Sequence, residues 1–283
     1  MKNETILRLR AQIRNKVPQD YIQLKPDVSQ HIYFAPATGT EFISTTTKNH
    51  VISNPIFNNW RMNRMADYLF DHKDEINKEN FDEYLQKAKD YPEEIFKKAG
   101  EFGTLVHGYA DRYFKDWILY NKQPDSILRY VDGSRGKKEE DYKAWACLRS
   151  LEGWINKVGY IPLASEIMVW NEKYHMAGTM DNVGVIGNQV GLPDWKSSND
   201  FRDDYWIQLG NYYGMFYRLT YIRCEWGKII KFDKDHGTPA KEDPIDHLPT
   251  RFKTSLLVSN LYDELQEIRK LRKATLAEKK VRI

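Results

Sequence analysis

Between Leu163 and Ser197 the chain is written in strands, and no fold can ignore that stretch. Leu163–Trp170, Thr179–Ile186 and Gln189–Ser197 are successive apolar segments, and Gly187-Asn188 supplies a two-residue turn between the last pair. The two-residue period of a strand then assigns faces. In Asp194-Trp195-Lys196 the carboxylate and the ammonium project side by side, while Trp195 turns the other way. Asp181 lies thirteen residues before Asp194, at the start of the pairing strand, so a hairpin brings two carboxylates together. Carboxylates at that distance repel and call for a cation, and hard oxygen donors suit Mg²⁺ or Mn²⁺. The neighbouring lysine can orient a nucleophilic water or stabilise charge on a phosphate. Pro193 removes a ladder donor, which predicts an edge or locally bulged strand opening to a cleft.

Composition narrows the class. At 283 residues, with 41% hydrophobic and 29% charged residues, the chain has material for one large domain or two modest ones and is neither disordered nor fibrous. No apolar run approaches the length of a membrane span, and Met1-Lys2-Asn3-Glu4 lacks the apolar segment of a secretory signal. The expectation is a cytoplasmic protein with no membrane partner. Cys147 and Cys224 are too few for a four-thiolate zinc site or an iron–sulfur cluster. A net charge of +3 does not by itself announce a nucleic-acid binder. The 18 tyrosines, 12 phenylalanines and 8 tryptophans could stack on exposed bases, although ordinary core packing accounts for them as readily.

Elsewhere the pattern is mostly helical. Residues 1–16 form a basic helix ending before Pro18, and His31–Phe34 with Glu41–Thr47 flank a Pro36-Ala37-Thr38-Gly39 turn as a small hairpin. Residues 54–100 are polar and helical, with Trp60, Met65, Leu69, Phe81, Leu85 and Phe96 as expected buried positions and Pro92 as a helix start. A further helix runs from Gly103 to Tyr120 with Val106, Tyr109, Tyr113 and Trp117 on its core face. After a charged run from Arg135 to Asp141, Tyr142–Val158 and Tyr205–Leu219 are amphipathic helices. Tyr221–Phe232 holds one or two strands, and Leu256–Ile283 is a helix ending in Arg269, Lys270, Arg272, Lys273, Lys279, Lys280 and Arg282. The fold class is therefore α/β in the broad sense (α+β). It divides into an N-terminal hairpin and helical cap (1–100), a central core (101–255) and a basic C-terminal helix (256–283).

Two helices carry further polar candidates. Tyr205, Gln208, Tyr212 and Met215 share one helical face, so Gln208 and Tyr212 can reach toward the strand that bears Lys196. His107 lies off the apolar stripe of its helix, near Gly103, Ala110 and Asp111, and an imidazole among oxygens tilts preference toward Mn²⁺.

Five blocks in order carry a resemblance: GTLVHGYAD around His107, SEIMVW around Glu166, AGTMDNVGVI around Asp181, LPDWKSS around Asp194 and Lys196, and QLGNYYGMFY around Gln208 and Tyr212. Together they resemble the RecB-like exonuclease branch of the PD-(D/E)XK nuclease superfamily over about residues 100–235. The opening hairpin and the Pro55–Trp60 segment are similar to the single-domain phage and mitochondrial exonucleases of that branch.

The resemblance implies a PD-(D/E)XK core, a central mixed sheet flanked by helices, with the helical N-terminal region capping the cleft. His107, Asp181 and Asp194, with the main-chain carbonyl of Trp195, would bind Mg²⁺ or Mn²⁺. Lys196 would be the catalytic lysine, supported by Gln208 and Tyr212, and Glu166 would serve beside the first metal or at a second. Ser197 and Ser198 would sit near a substrate phosphate, with Gln208 and Tyr212 toward the DNA backbone. Iron–sulfur relatives need four cysteines, so that cluster is not expected. The implied activity is metal-dependent DNA exonuclease action on free or single-stranded ends, in replication, recombination or repair, in a bacterial cell or phage-infected host. Partners would be DNA and, with no helicase motif in the chain, helicase or replication and recombination proteins. A catalytically inactive nucleic-acid-binding module of the same fold and a structure-specific endonuclease are the alternatives.

Overall fold

A computed structural model of the chain describes residues 1–25, 31–52, 55–131 and 138–281. These residues form two compact units, one of Met1–Ile52 together with His107–Ile283, the other of Ser53–Val106. The smaller unit holds α3 (Pro55–Asp71) and the first part of α4 (Phe81–Tyr120). Within it Phe57 stacks on Trp60 and meets the edge of Phe96, and Tyr68 packs on His72 and Tyr91.

The larger unit is built on an eight-stranded mixed sheet. Its strands are β1 (Gln23–Leu24), β2 (Ile32–Ala35), β3 (Thr40–Ser44), β4 (Tyr160–Asn171), β5 (Met176–Ile186), β6 (Gln189–Lys196), β7 (Trp226–Lys231) and β8 (Lys241–Ile245). The helices of this unit are α1 (Asn3–Lys16), α2 (Thr45–Asn49), the remainder of α4, α5 (Lys138–Val158), α6 (Asp203–Thr220) and α7 (Leu248–Val281).

The centre of the sheet is forked. β4 pairs antiparallel with β5 along its whole length, from Asn171↔Met176 to Tyr160↔Ile186. The other edge of β5 must therefore serve two strands. β3 joins it in parallel at Met176 and Ala177, and β6 joins it antiparallel only at Gly184, Val185 and Ile186. Between those contacts no described strand pairs with that edge of β5, and Asp181 lies in the gap. β6 instead continues beside β7, in parallel from Gly191↔Trp226 to Lys196↔Lys231.

The two sides of β6 pack differently. Trp195 is buried against Phe114 of α4 (stacked, 5.7 Å between ring centroids), Trp154 of α5 (5.7 Å) and Tyr160 of β4 (6.2 Å). On the opposite side α6 covers the sheet and α7 covers α6. There Gly214 touches the Phe252 ring so closely that a Cβ would lie 2.1 Å from it. Any larger residue would force the helices apart. Two buried cations fasten the periphery. The Arg10 guanidinium donates to the carbonyls of Pro162 (2.8 Å) and Ile118 (3.3 Å) and to Asn121 Oδ1 (2.8 Å). Lys48 Nζ donates to both Asp263 carboxylate oxygens (2.7 and 2.9 Å) and to the Tyr174 carbonyl (3.0 Å).

The mixed α/β class and the β4–β5–β6 succession agree with expectation, and several details do not. The hairpin of residues 32–44 belongs to the central sheet through β3, so a separate segment 1–100 does not exist; the division near residue 106 falls inside α4. Nor does 255 mark a boundary, since α7 starts at Leu248, with Pro249 in its first turn where a missing N–H costs nothing. Pro92 sits inside α4 rather than at a start. The long helix tolerates the one i→i−4 bond that proline cannot donate. Phe81 and Phe96 are about half exposed, because a two-helix unit cannot enclose every aromatic. Thr45–Thr47 turn into α2, whose first turn is capped by Ser44 Oγ accepting from Thr47 N at 3.0 Å. β6 is not an edge strand, but Pro193 lies where its β5 neighbour has departed, so no ladder bond is lost there. Arg135 and Arg282 lie outside the described residues.

Candidate metal centre

Glu166 and Asp181 face each other across the β4–β5 ladder. The flanking pairs are Ser165↔Asn182 and Ile167↔Met180, which sets Glu166 opposite Asp181. Glu166 is itself in the left-handed region, with φ of +47°, in the middle of a strand. A non-glycine residue held there costs on the order of 1 kcal/mol or more, and such positions concentrate at functional sites. α4 brings His107 to the same spot. Its Nδ1 lies 3.3 Å from Asp181 Oδ1 and 3.7 Å from Glu166 Oε1. One donor atom from each of the three residues falls within 4.8 Å of the others, so the group could hold a metal ion.

The charges interact strongly. Burial alone would lower the His107 imidazole, but Asp181 and Glu166 outweigh it and push it up to about 10. Burial raises the Glu166 carboxyl, and the charge of Asp181 adds to that against the pull of His107. For Asp181 burial also pushes upward, yet His107 and Lys196 hold it below the usual range. The Trp195 N–H donates to Asp181 Oδ2 at 2.6 Å. In a strand the N–H and C=O of one residue point to the same edge, so the Trp195 carbonyl also faces the gap in the sheet.

Asp194 stands outside the three-residue group. Its carboxylate is almost wholly buried, with Oδ2 2.6 Å from Lys196 Nζ, but neither oxygen has a well-oriented hydrogen bond. Burial pushes this carboxyl up to about 6, against the pull of Lys196 and with the push of Asp181. A buried carboxylate short of donors, beside three convergent nitrogen and oxygen ligands, is a site short of positive charge. The donor chemistry of these residues therefore fits a hard divalent cation, with one imidazole and carboxylate oxygens as ligands.

Lys196 is held from several directions. Besides Asp194, its Nζ donates to Gln208 Oε1 at 3.3 Å and lies 4.7 Å from the centre of the Tyr205 ring. Gln208 Nε2 in turn donates to the Tyr212 hydroxyl at 2.8 Å. One face of α6 thus reaches the lysine, as its spacing predicts. Tyr212 is buried across Gly178 of β5, where a Cβ would lie 2.6 Å from its ring. Ser197 and Ser198 follow directly after β6, and Ser198 Oγ donates to the Asp200 carbonyl at 3.1 Å.

Asp111 was not among the expected site residues. It lies one turn beyond His107, accepts from Ser165 Oγ at 2.8 Å and pairs with Lys115 at 2.6 Å. The i, i+4 spacing from His107 to Asp111 was the available signal. Among the described residues, no helix is long and apolar enough to cross a membrane. The sequence matches no protein-family model and no curated protein.

Proposed function

We propose that this chain is a metal-dependent deoxyribonuclease of the PD-(D/E)XK type, an exonuclease hydrolysing phosphodiester bonds at free or single-stranded DNA ends. The observation that carries the proposal is the meeting of His107, Glu166 and Asp181 at a fork in the sheet, with the buried Asp194–Lys196 pair beside them. His107 and Asp181 would hold Mg²⁺ or Mn²⁺, joined by Asp194 and the Trp195 carbonyl, with Glu166 as a further carboxylate. A divalent ion there supplies Lewis acidity toward the scissile phosphate and the attacking water.

The chain's own groups do the rest. Lys196, cationic and nearly buried, stands where it can donate to a water or a phosphate oxygen and stabilise developing negative charge. Gln208 fixes the direction of that ammonium, and Tyr212 fixes Gln208. Backbone contacts dominate such recognition, so affinity falls steeply with salt and depends little on sequence. Any duplex opening falls to a helicase or recombination partner, in the cytoplasm.

The test is digestion of end-labelled linear and circular single strands with Mg²⁺ or Mn²⁺. The expected result is metal-dependent loss of linear DNA alone. Cleavage of circles as fast as linear strands would make the enzyme an endonuclease, and no cleavage with either metal would remove the nuclease reading.

A further inference from the structure

α4 grips β4 at two consecutive residues. His107 Nδ1 lies 3.7 Å from Glu166 Oε1, and one helical turn later Asp111 Oδ1 accepts from Ser165 Oγ at 2.8 Å. In a regular strand Ser165 and Glu166 would project to opposite sides of the sheet, and one helix face could meet only one of them. The positive φ of Glu166 breaks that alternation, so both side chains meet α4.

A left-handed residue inside a strand persists only where its surroundings over-determine it. On one side of Glu166, Ile167 is buried and paired with Met180. On the other side Ser165 is buried and paired with Asn182, and Asp111 holds its hydroxyl. The Asp181 carbonyl, 3.5 Å from Ser165 Oγ, is too distant to replace that acceptor. Asp111 is not itself placed to take a cation. Its oxygens are engaged by Ser165 Oγ and, at 2.6 Å, by Lys115 Nζ, and it stands outside the three convergent donors. His107, Asp111 and Lys115 follow one another at four-residue intervals on one face of α4, so the lysine offsets the charge of the carboxylate that does the holding.

We infer that Asp111 is a positioning residue for the metal centre, acting through Ser165 to hold the Glu166 carboxylate toward His107 and Asp181. The inference rests on the metal reading of that cluster.

The test is calorimetric titration of the full chain with Mn²⁺. Asp111→Ala and Ser165→Ala should each weaken binding about tenfold or more, and the double variant no further, because the two side chains act as one unit. Asp111→Asn keeps an acceptor for Ser165 and should bind nearly as the wild type does. In a Glu166→Ala background, Ser165→Ala should cost nothing more, which a general loss of packing would not give. Should Asp111→Ala fail to fold, Ser165→Ala and Asp111→Asn decide. Wild-type affinity in Ser165→Ala overturns the inference. So does an Asp111→Asn variant as weak as Ser165→Ala, which would make Asp111 act by its charge, or a full further loss from Ser165→Ala when Glu166 is already gone. A wild type that binds no Mn²⁺ overturns the metal centre and this inference together, whereas a wild type that binds while the variants bind equally well overturns the inference alone.

Discussion

Two faces of one strand divide the labour of this molecule. On one side of β6, Trp195 packs in an aromatic cluster with Phe114, Trp154 and Tyr160, where the Trp154 indole N–H donates to Glu242 and the Tyr160 hydroxyl to Asn182. One residue away on either side, Asp194 and Lys196 bring opposite charges into the interior, and Asp194 keeps two oxygens without a well-directed donor. The first face stabilises the fold, and the second costs stability to hold chemistry in place. The alternation of a strand allows both within three residues.

The sharpest way to separate the faces is Lys196→Ala. Cleavage should fall on the order of 10³-fold or more, while the fold survives because Asp194 can take up a proton. Single-turnover assays check this, and retained cleavage would take Lys196 out of the mechanism. Trp195→Ala should do the reverse in kind, lowering stability by about 3–5 kcal/mol in urea unfolding. A loss well under 1 kcal/mol would mean the aromatic face is not the stabilising one.

The donor group has a pH signature. In the metal-free protein His107 is raised to about 10, so its protonated form stabilises the fold fully below its unfolded value near 6.5. That contribution is lost as pH climbs through the folded value. A cation must displace the same proton, so Mn²⁺ affinity should rise with pH toward 10, by up to about tenfold per unit. Calorimetry in buffers of different ionisation enthalpy should record about one proton released per ion; none would exclude His107 as a ligand. The smallest effect concerns Glu166. Glu166→Gly should gain about 1 kcal/mol by relieving the left-handed backbone, yet bind Mn²⁺ more weakly. A destabilised variant would show that the conformation is not strained.

Much of this arrangement was written in local patterns. The Gly187-Asn188 turn, the D-x-K alternation and the i, i+4 relation of Gln208 to Tyr212 are short-range signals, and each element formed where its period placed it. What local pattern did not contain was the fork. A two-residue turn predicts a full hairpin, whereas β6 leaves β5 after three pairs because β7 offers a parallel partner thirty-odd residues later. The left-handed turn at Glu166 is likewise invisible to propensity, since nothing about a glutamate asks for positive φ. β8 lacks a strand pattern for a plainer reason. Lys241-Glu242-Asp243-Pro244-Ile245 is charged and contains a proline, which only a sheet edge accepts.

Arg10 has a consequence for how the molecule is made. Its guanidinium joins the end of the helix bearing His107 to the strand bearing Glu166, across 108 and 152 residues of sequence respectively. While the ribosome is still short of those partners, the first helix waits with an unpaired cation. The donors themselves reach further along the chain, so the cluster of His107, Glu166 and Asp181 cannot close until residue 181 has emerged. Synthesis of the first helix and assembly of the donor cluster are kept apart in time by nothing more than the distance along the chain.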